Sequence, residues 1–175
     1  DDTLKIVFSF IENSTTPLVL DADALNCVAK QPEILLRKKA PIIITPHPGE
    51  MSRLTGLATP LVNAERERVA LDFAQKYGVV TVLKGAGTVI ASPNGKVLVN
   101  PTGNSGMATG GSGDVLAGMT ASILAQGASA FSSAAAAVYL HGLAGDIAAE
   151  KYGKISMLPT DLINCIPLAY KRCGF

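Results

Sequence analysis

Three short apolar runs constrain this chain more than any other feature: PLVLD at 17–21, PIIIT at 41–45 and VVTVL at 79–83. None alternates apolar with polar, so both faces of each strand must be covered, which places them in a mainly parallel sheet between layers of helices. The intervening segments carry helical patterns. Residues 3–12 are weakly helical, 24–36 read as a helix in spite of Pro32, and 49–54 and 61–77 follow. The last of these sets charges on one face and Val69, Leu71, Phe73 and Ala74 toward a core, and Gly78 ends it as a C-terminal glycine does. Residues 88–91 and 96–99 then flank Pro93-Asn94-Gly95, whose Asn-Gly is a strong hairpin signal and makes the sheet mixed. Beyond a Gly-rich loop at 101–113, helices are expected at 114–126, 130–150 and 160–170. The pattern predicts one three-layer α/β domain over 1–175, with a mainly parallel sheet and a β-hairpin.

Composition excludes several functional classes. With 48% hydrophobic and 17% charged residues, the chain can bury one sizeable core. Fifteen Lys+Arg against fourteen Asp+Glu leave a net charge of +1, without the basic footprint that a nucleic-acid partner demands. Cys27, Cys165 and Cys173 are odd in number and form no CxxC pair, which points away from a disulfide framework or structural zinc and toward a reducing cytoplasm. The longest charge-free stretch, 115–145, is long enough to span a membrane, but Gln126, His141 and several Ser, Thr and Gly interrupt it. No basic cluster flanks it, so two small-residue helices are expected there and no membrane partner. The start, Asp1-Asp2-Thr3-Leu4, lacks the basic and apolar segments of a secretory signal, and the first methionine is Met51. Residue 1 is therefore expected to follow a cleavage, a truncation or an upstream segment.

The strongest chemical signal is the loop Gly103-Asn104-Ser105-Gly106-Met107-Ala108-Thr109-Gly110-Gly111-Ser112-Gly113-Asp114, which opens directly into a helix. Glycines let backbone N–H groups approach and point at an anion, and the helix N-terminus adds the positive end of its dipole. Asp114 at the helix start is either a helix cap or an acid placed at an anion site. Five glycines in residues 103–113 favour the second reading, because a cap needs none of them. No glycine here precedes Lys and a hydroxyl residue as a P-loop requires, and the spacing after Gly111 and Gly113 fails the dinucleotide-binding GxGxxG. Polar groups also follow each buried run: Asp21-Ala22-Asp23, Thr45-Pro46-His47-Pro48-Gly49-Glu50 and Lys84-Gly85-Ala86-Gly87-Thr88. Each alone is an ordinary turn. Together with the glycine loop they converge on one sheet edge, the carboxyl ends of the strands, where α/β proteins bind ligands.

The segments PLVLDADALN, IIITPHPGEMSRLTG, VLKGAGTVIASPNG and NPTGNSGMATGGSGDVLAG, in this order, resemble the ADP/ATP-dependent NAD(P)H-hydrate dehydratases, a branch of the ribokinase-like superfamily. The resemblance spans about 17–167. GGSGD alone is common to the superfamily, whereas HPGE with GNSGMATGG distinguishes this branch. It implies a ribokinase-like fold and an enzyme that removes water from the hydrated nicotinamide ring of NADHX or NADPHX with hydrolysis of ADP or ATP. The implied chemistry phosphorylates the ring hydroxyl, after which phosphate leaves and the dihydropyridine is restored.

On that resemblance Asp114 matches the acid that takes the hydroxyl proton, and the N–H groups of Gly111, Ser112 and Gly113 stabilise the transferring phosphoryl group. Lys84, Gly85, Ala86, Gly87, Thr88 and Gly113 match adenine-nucleotide contacts, and His47 and Asp114 match contacts to the hydrate. Asn104 is assigned a lesser, orienting part in substrate binding. Mg²⁺ is expected with the nucleotide, without a dedicated metal cage in the chain.

Members of the family carry further βα units upstream, including a GPGLG-like segment, and these are missing from this chain. Alone it would expose a sheet edge, so an N-terminal companion segment completing the pocket is expected, and also a homo-oligomer. Two other readings stand beside this one: a ribokinase-like kinase of a small alcohol such as hydroxymethylpyrimidine, which HPGE disfavours, and a non-catalytic nucleotide-binding fragment.

Overall fold

The structure, a computed structural model, describes residues 2–175. Its elements run α1 (Asp2–Asn13), β1 (Leu18–Leu20), α2 (Asp23–Lys30), a 3₁₀ turn (Pro32–Arg37), β2 (Ile42–Ile44), α3 (Pro48–Thr55), α4 (Thr59–Ala64) and α5 (Arg66–Tyr77). β3 (Val80–Leu83), β4 (Val89–Ala91) and β5 (Val97–Val99) follow, then a short 3₁₀ turn (Ser105–Met107), α6 (Ser112–Ala125), α7 (Ala130–Tyr152) and α8 (Pro159–Arg172).

The five strands lie in chain order in one sheet. β1, β2 and β3 pair in parallel, and the β4–β5 hairpin extends the sheet antiparallel from β3. Side-chain alternation explains why the runs had to be apolar throughout. Ile42 and Ile44 face a core shared with α1, α2, α3 and α5, while Ile43 between them faces α6, α7 and α8. Leu83 and Val82 divide between the same two cores, so the fold has three layers, helices on both sides of the sheet. In the second layer Ala134, Ala137, Ala144 and Ala148 of α7 are fully buried, which accounts for the charge-free stretch as tightly packed small-residue helices. No helix among the described residues is long and apolar enough to cross a membrane.

Three element boundaries differ from the sequence expectation. The helix expected over 24–36 stops at Lys30: Pro32 disfavours helical backbone at the residue before it, and Gln31 sits at φ −155°, ψ 79°. The helix expected over 61–77 is two helices, because Glu65 leaves the helical region at φ −125°, ψ 41°. α6 begins at Ser112, two residues earlier than expected, with Gly111 as its cap in a left-handed conformation at φ 98°. Asp114 is thus the third residue of the helix, and the cap alternative for its side chain does not apply.

Candidate active site

The carboxyl ends of the three parallel strands are stitched together by backbone hydrogen bonds. The Thr45 N–H donates to Leu20 O at 3.1 Å and the Lys84 N–H to Pro46 O at 2.8 Å. The convergence expected from the sequence is therefore present, and its centre is Lys84. The Lys84 ammonium donates to Asp21 Oδ1 at 2.7 Å and lies 3.8 Å from Glu50 Oε2. Side-chain exposures of 20% for Lys84, 13% for Asp21 and 7% for Glu50 make this a largely desolvated cluster. There charges interact more strongly than on an open surface.

Glu50 is delivered by the HPGE segment, whose four residues act as one cap. His47 Nδ1 accepts from the N–H groups of Gly49 (3.0 Å) and Glu50 (3.3 Å), and Glu50 Oε2 accepts the His47 N–H at 2.7 Å. This is a capping box with an imidazole in place of the usual hydroxyl. Pro48 fills the first helical turn, where its missing N–H costs nothing. A Cβ on Gly49 would stand 2.8 Å from His47 Cε1, so only glycine lets the ring close over the helix start. Because Nδ1 accepts, the neutral ring carries its proton on Nε2, and half of its side-chain surface stays exposed.

The N-terminus of α6 abuts the same cluster. A Cβ on Gly113 would lie 3.5 Å from Lys84 Nζ and 3.8 Å from Asp21 Oδ2. The Ser112 N–H turns back to Thr109 O at 3.3 Å, whereas those of Gly113 and Asp114 have no protein acceptor among the described residues. Asp114 is exposed and makes no hydrogen bond or ion pair among them. Ser112 is buried, its hydroxyl has no partner among the described residues, and its carbonyl accepts from His141 Nε2 at 2.9 Å. Burial lowers the His141 pKa to about 4, so this imidazole is neutral and acts as a donor beneath the helix start.

Upstream, the glycine loop is pinned to α7. Asn104 Nδ2 donates to Gly145 O and Asp146 Oδ1, both at 3.0 Å, its Oδ1 accepts the Gly106 N–H at 3.0 Å, and the Gly103 N–H donates to Asp146 Oδ2 at 2.9 Å. The Asn104 amide is thus committed to holding the loop, in keeping with an orienting part. On the other side, Lys84 begins the 84–88 loop, in which Thr88 Oγ1 donates to Gly85 O at 3.0 Å. Ala86 and Gly87 line an open groove of about 500 Å³ together with Arg66 and Val99.

The structure brings Lys84, His47, Gly113 and Asp114 to one strand-end site, with Gly85, Ala86, Gly87 and Thr88 forming its flank and Asn104 behind the glycine loop. Sequence reasoning singled out no role for Asp21 and Glu50, although both lie in segments that follow buried strands. It also missed Arg66 and Asp146, which carry no signal beyond membership of helical charge patterns. The described residues include no group of three or more His, Cys, Asp or Glu arranged to hold a metal. Asp21 and Glu50, the two carboxylates beside Lys84, suit Mg²⁺ arriving on nucleotide phosphates, since that ion commonly takes one or two carboxylates plus phosphate oxygens.

The whole chain resembles proteins of one known family. The profile of the NAD(P)H-hydrate dehydratase family matches residues 1–168. A bifunctional NAD(P)H-hydrate repair enzyme of Moorella thermoacetica is 44% identical over 170 residues, 97% of this chain and 32% of that protein. An ADP-dependent (S)-NAD(P)H-hydrate dehydratase of Neisseria meningitidis is 44% identical over 144 residues, covering 81% of this chain and 49% of its own. The chain therefore spans between about a third and a half of these relatives. The crystal structure of an ADP/ATP-dependent NAD(P)H-hydrate dehydratase from Bacillus subtilis, co-crystallized with ATP/Mg²⁺, superposes with a TM-score of 0.88 at 34% identity, covering 98% of this chain and 60% of that one. A ribokinase-like protein of Enterococcus faecalis superposes with a TM-score of 0.81 at 32% identity, covering 98% and 57%. With the profile matched over nearly its whole length and the ribokinase-like α/β fold in place, the chain belongs to the NAD(P)H-hydrate dehydratase family.

Proposed function

We propose that this chain carries the nucleotide-binding and catalytic part of an enzyme that dehydrates NADHX or NADPHX to NADH or NADPH with hydrolysis of ADP or ATP. One observation carries the reading: the unencumbered Asp114 carboxylate sits beside free N–H groups at the start of α6, against the Lys84–Asp21 pair. That combination of an anion cradle, a fixed cation and an adjacent base is what phosphoryl transfer to a hydroxyl requires.

In this reading the 84–88 loop and Gly113 bind the nucleotide, and the exposed face of His47 meets the hydrated ring. Asp114 accepts the proton of the ring hydroxyl as its oxygen bonds to phosphorus and the P–O bond to the nucleotide breaks. The N–H groups of Gly111 and Gly113 and the Lys84 ammonium balance the charge on the phosphoryl group, while the Ser112 N–H, turned back to Thr109 O, holds the helix start. The C–O bond then breaks with loss of phosphate and a ring proton, restoring the dihydropyridine. Mg²⁺, when bound, neutralises nucleotide phosphates, and Asp21 and Glu50 are the side chains placed to hold it. The reading includes a companion segment that pairs along β1, the parallel one of the two edge strands, and completes the hydrate pocket.

The test is a dehydration assay on the protein as expressed, following the return of reduced-nicotinamide absorbance from NADHX or NADPHX. Recovery that depends on added ADP or ATP is expected. No recovery with either nucleotide, with the companion segment supplied, overturns the reading.

A further inference from the structure

Arg66 goes against three local preferences at once. It is the first residue of α5, where the helix dipole disfavours a cation. Burial lowers its pKa from the usual guanidinium value. Its Nε lies out of solvent with no hydrogen-bond partner among the described residues. Arg68, two residues on, does none of this: it is exposed and pairs with Glu65 and Asp72. A residue held in so unfavourable a position answers to function more than to stability.

The contacts it does make converge on one loop. Arg66 Nη2 donates to Leu83 O, the end of β3, at 2.8 Å. A Cβ built on Gly85 would stand 2.9 Å from Nη1 and 3.0 Å from Nη2, so the guanidinium occupies the space that any side chain at 85 would need. With Ala86 and Gly87 it also lines the groove of about 500 Å³. We infer that Arg66 is a positioning residue for nucleotide: its planar guanidinium hydrogen-bonds Leu83 O and fills the space over Gly85, holding the 84–88 loop in the shape that accepts ADP or ATP. This rests on the functional reading above. Lysine replaces it only in part, since an ammonium lacks the planar fork that reaches Leu83 O while covering Gly85.

Calorimetric titration of ADP and ATP into wild type, Arg66→Ala, Arg66→Lys, Gly85→Ala and the Arg66→Ala/Gly85→Ala double variant tests this. In Arg66→Ala the Kd for nucleotide rises about tenfold or more, the scale of one charge-assisted hydrogen bond. The KM for nucleotide rises with it while the KM for the hydrate does not, and Arg66→Lys recovers only part of the loss. Gly85→Ala weakens binding less in the Arg66→Ala background, where the atoms its Cβ meets are gone. A purely structural Arg66 lowers thermal stability and leaves the Kd of the folded protein unchanged, which overturns the inference. If Arg66→Ala does not fold, unchanged Kd in both Arg66→Lys and Gly85→Ala overturns it equally. Wild type that binds neither nucleotide overturns the functional reading and this one with it. Wild-type binding with unaffected variants overturns this one alone.

Discussion

Asp114→Asn separates a structural from a chemical role by magnitude. Asp114 is the third residue of α6, exposed, and without a hydrogen bond or ion pair among the described residues. Its contribution to stability is then its favourable charge in the first turn, roughly 0.3–1 kcal/mol. For a chain of this length that corresponds to a fall in Tm of about 1–4 °C. A positioned general base is worth ~10²–10⁴ in rate, or about 3–5 kcal/mol of barrier. The two losses are too far apart to be confused. A thermal melt, calorimetric titration with ADP or ATP, and the absorbance assay on the same preparation should give near-native stability, near-native nucleotide affinity and turnover lower by about 100-fold or more. Turnover close to wild type would remove Asp114 from proton transfer and leave it a charge on a helix dipole.

Three further outcomes are expected. Gly113→Val places branches from a Cβ position 3.5 Å from Lys84 Nζ and 3.8 Å from Asp21 Oδ2; it should abolish calorimetrically detectable ADP or ATP binding with an unchanged circular dichroism spectrum, and unchanged affinity would reduce the loop to a turn. Gly142→Ala sets a Cβ 2.8 Å from the carbonyl carbon of Thr102, so backbone must move; a loss of about 1–3 kcal/mol is expected in denaturant melts, and an unchanged midpoint contradicts the packing of the loop on α7. His141 is neutral when folded because burial lowers its pKa to about 4, while the unfolded chain takes up the proton near 6.5; stability should therefore fall as pH drops from about 6.5 to 4, by up to roughly 3 kcal/mol, and His141→Gln should flatten that slope in melts across the range.

The sheet was legible because strands buried on both faces carry continuous apolar runs, and PLVLD, PIIIT and VVTVL show them with no helical competitor, the buried Thr81 of β3 being the one polar side chain within a strand. The hairpin was legible because Asn94-Gly95 has few other uses; Gly95 lies at φ 93°, and the Ser92 N–H reaches Lys96 O at 2.8 Å. The glycine loop showed because close backbone approach demands glycine: a Cβ on Gly106 would stand 2.5 Å from Lys154 O. The start of α6 was misjudged by two residues because the left-handed conformation of Gly111, which sets it, is not visible in residue type alone. Arg66 and Asp146 were missed for a different reason. Each belongs to a helix whose other charges are solvated, and only packing against Leu83 O or the Gly103 N–H distinguishes them. Long-range partners of charged helical residues are a property of the assembled layers.

The charges at the strand ends carry one more step. Lys84 stands between two carboxylates, Asp21 at 2.7 Å and Glu50 at 3.8 Å, so the cluster bears about one net negative charge when all three are ionised. The N-terminus of α6 offsets only about half a unit of it. A nucleotide phosphate brought against Gly113 would therefore meet repulsion in a desolvated setting, where screening by salt is least effective. The two carboxylates hold the ammonium facing the position next to Gly113, so a tail that is otherwise flexible is fixed, at the expense of local charge balance. Mg²⁺ arriving on the nucleotide phosphates would reverse that balance: Asp21 and Glu50 would then supply oxygen ligands in place of repulsion, with Lys84 still beside Asp21. On the proposed function, the pairing of acid and base at the sheet edge fits a metal–nucleotide complex better than a free phosphate anion.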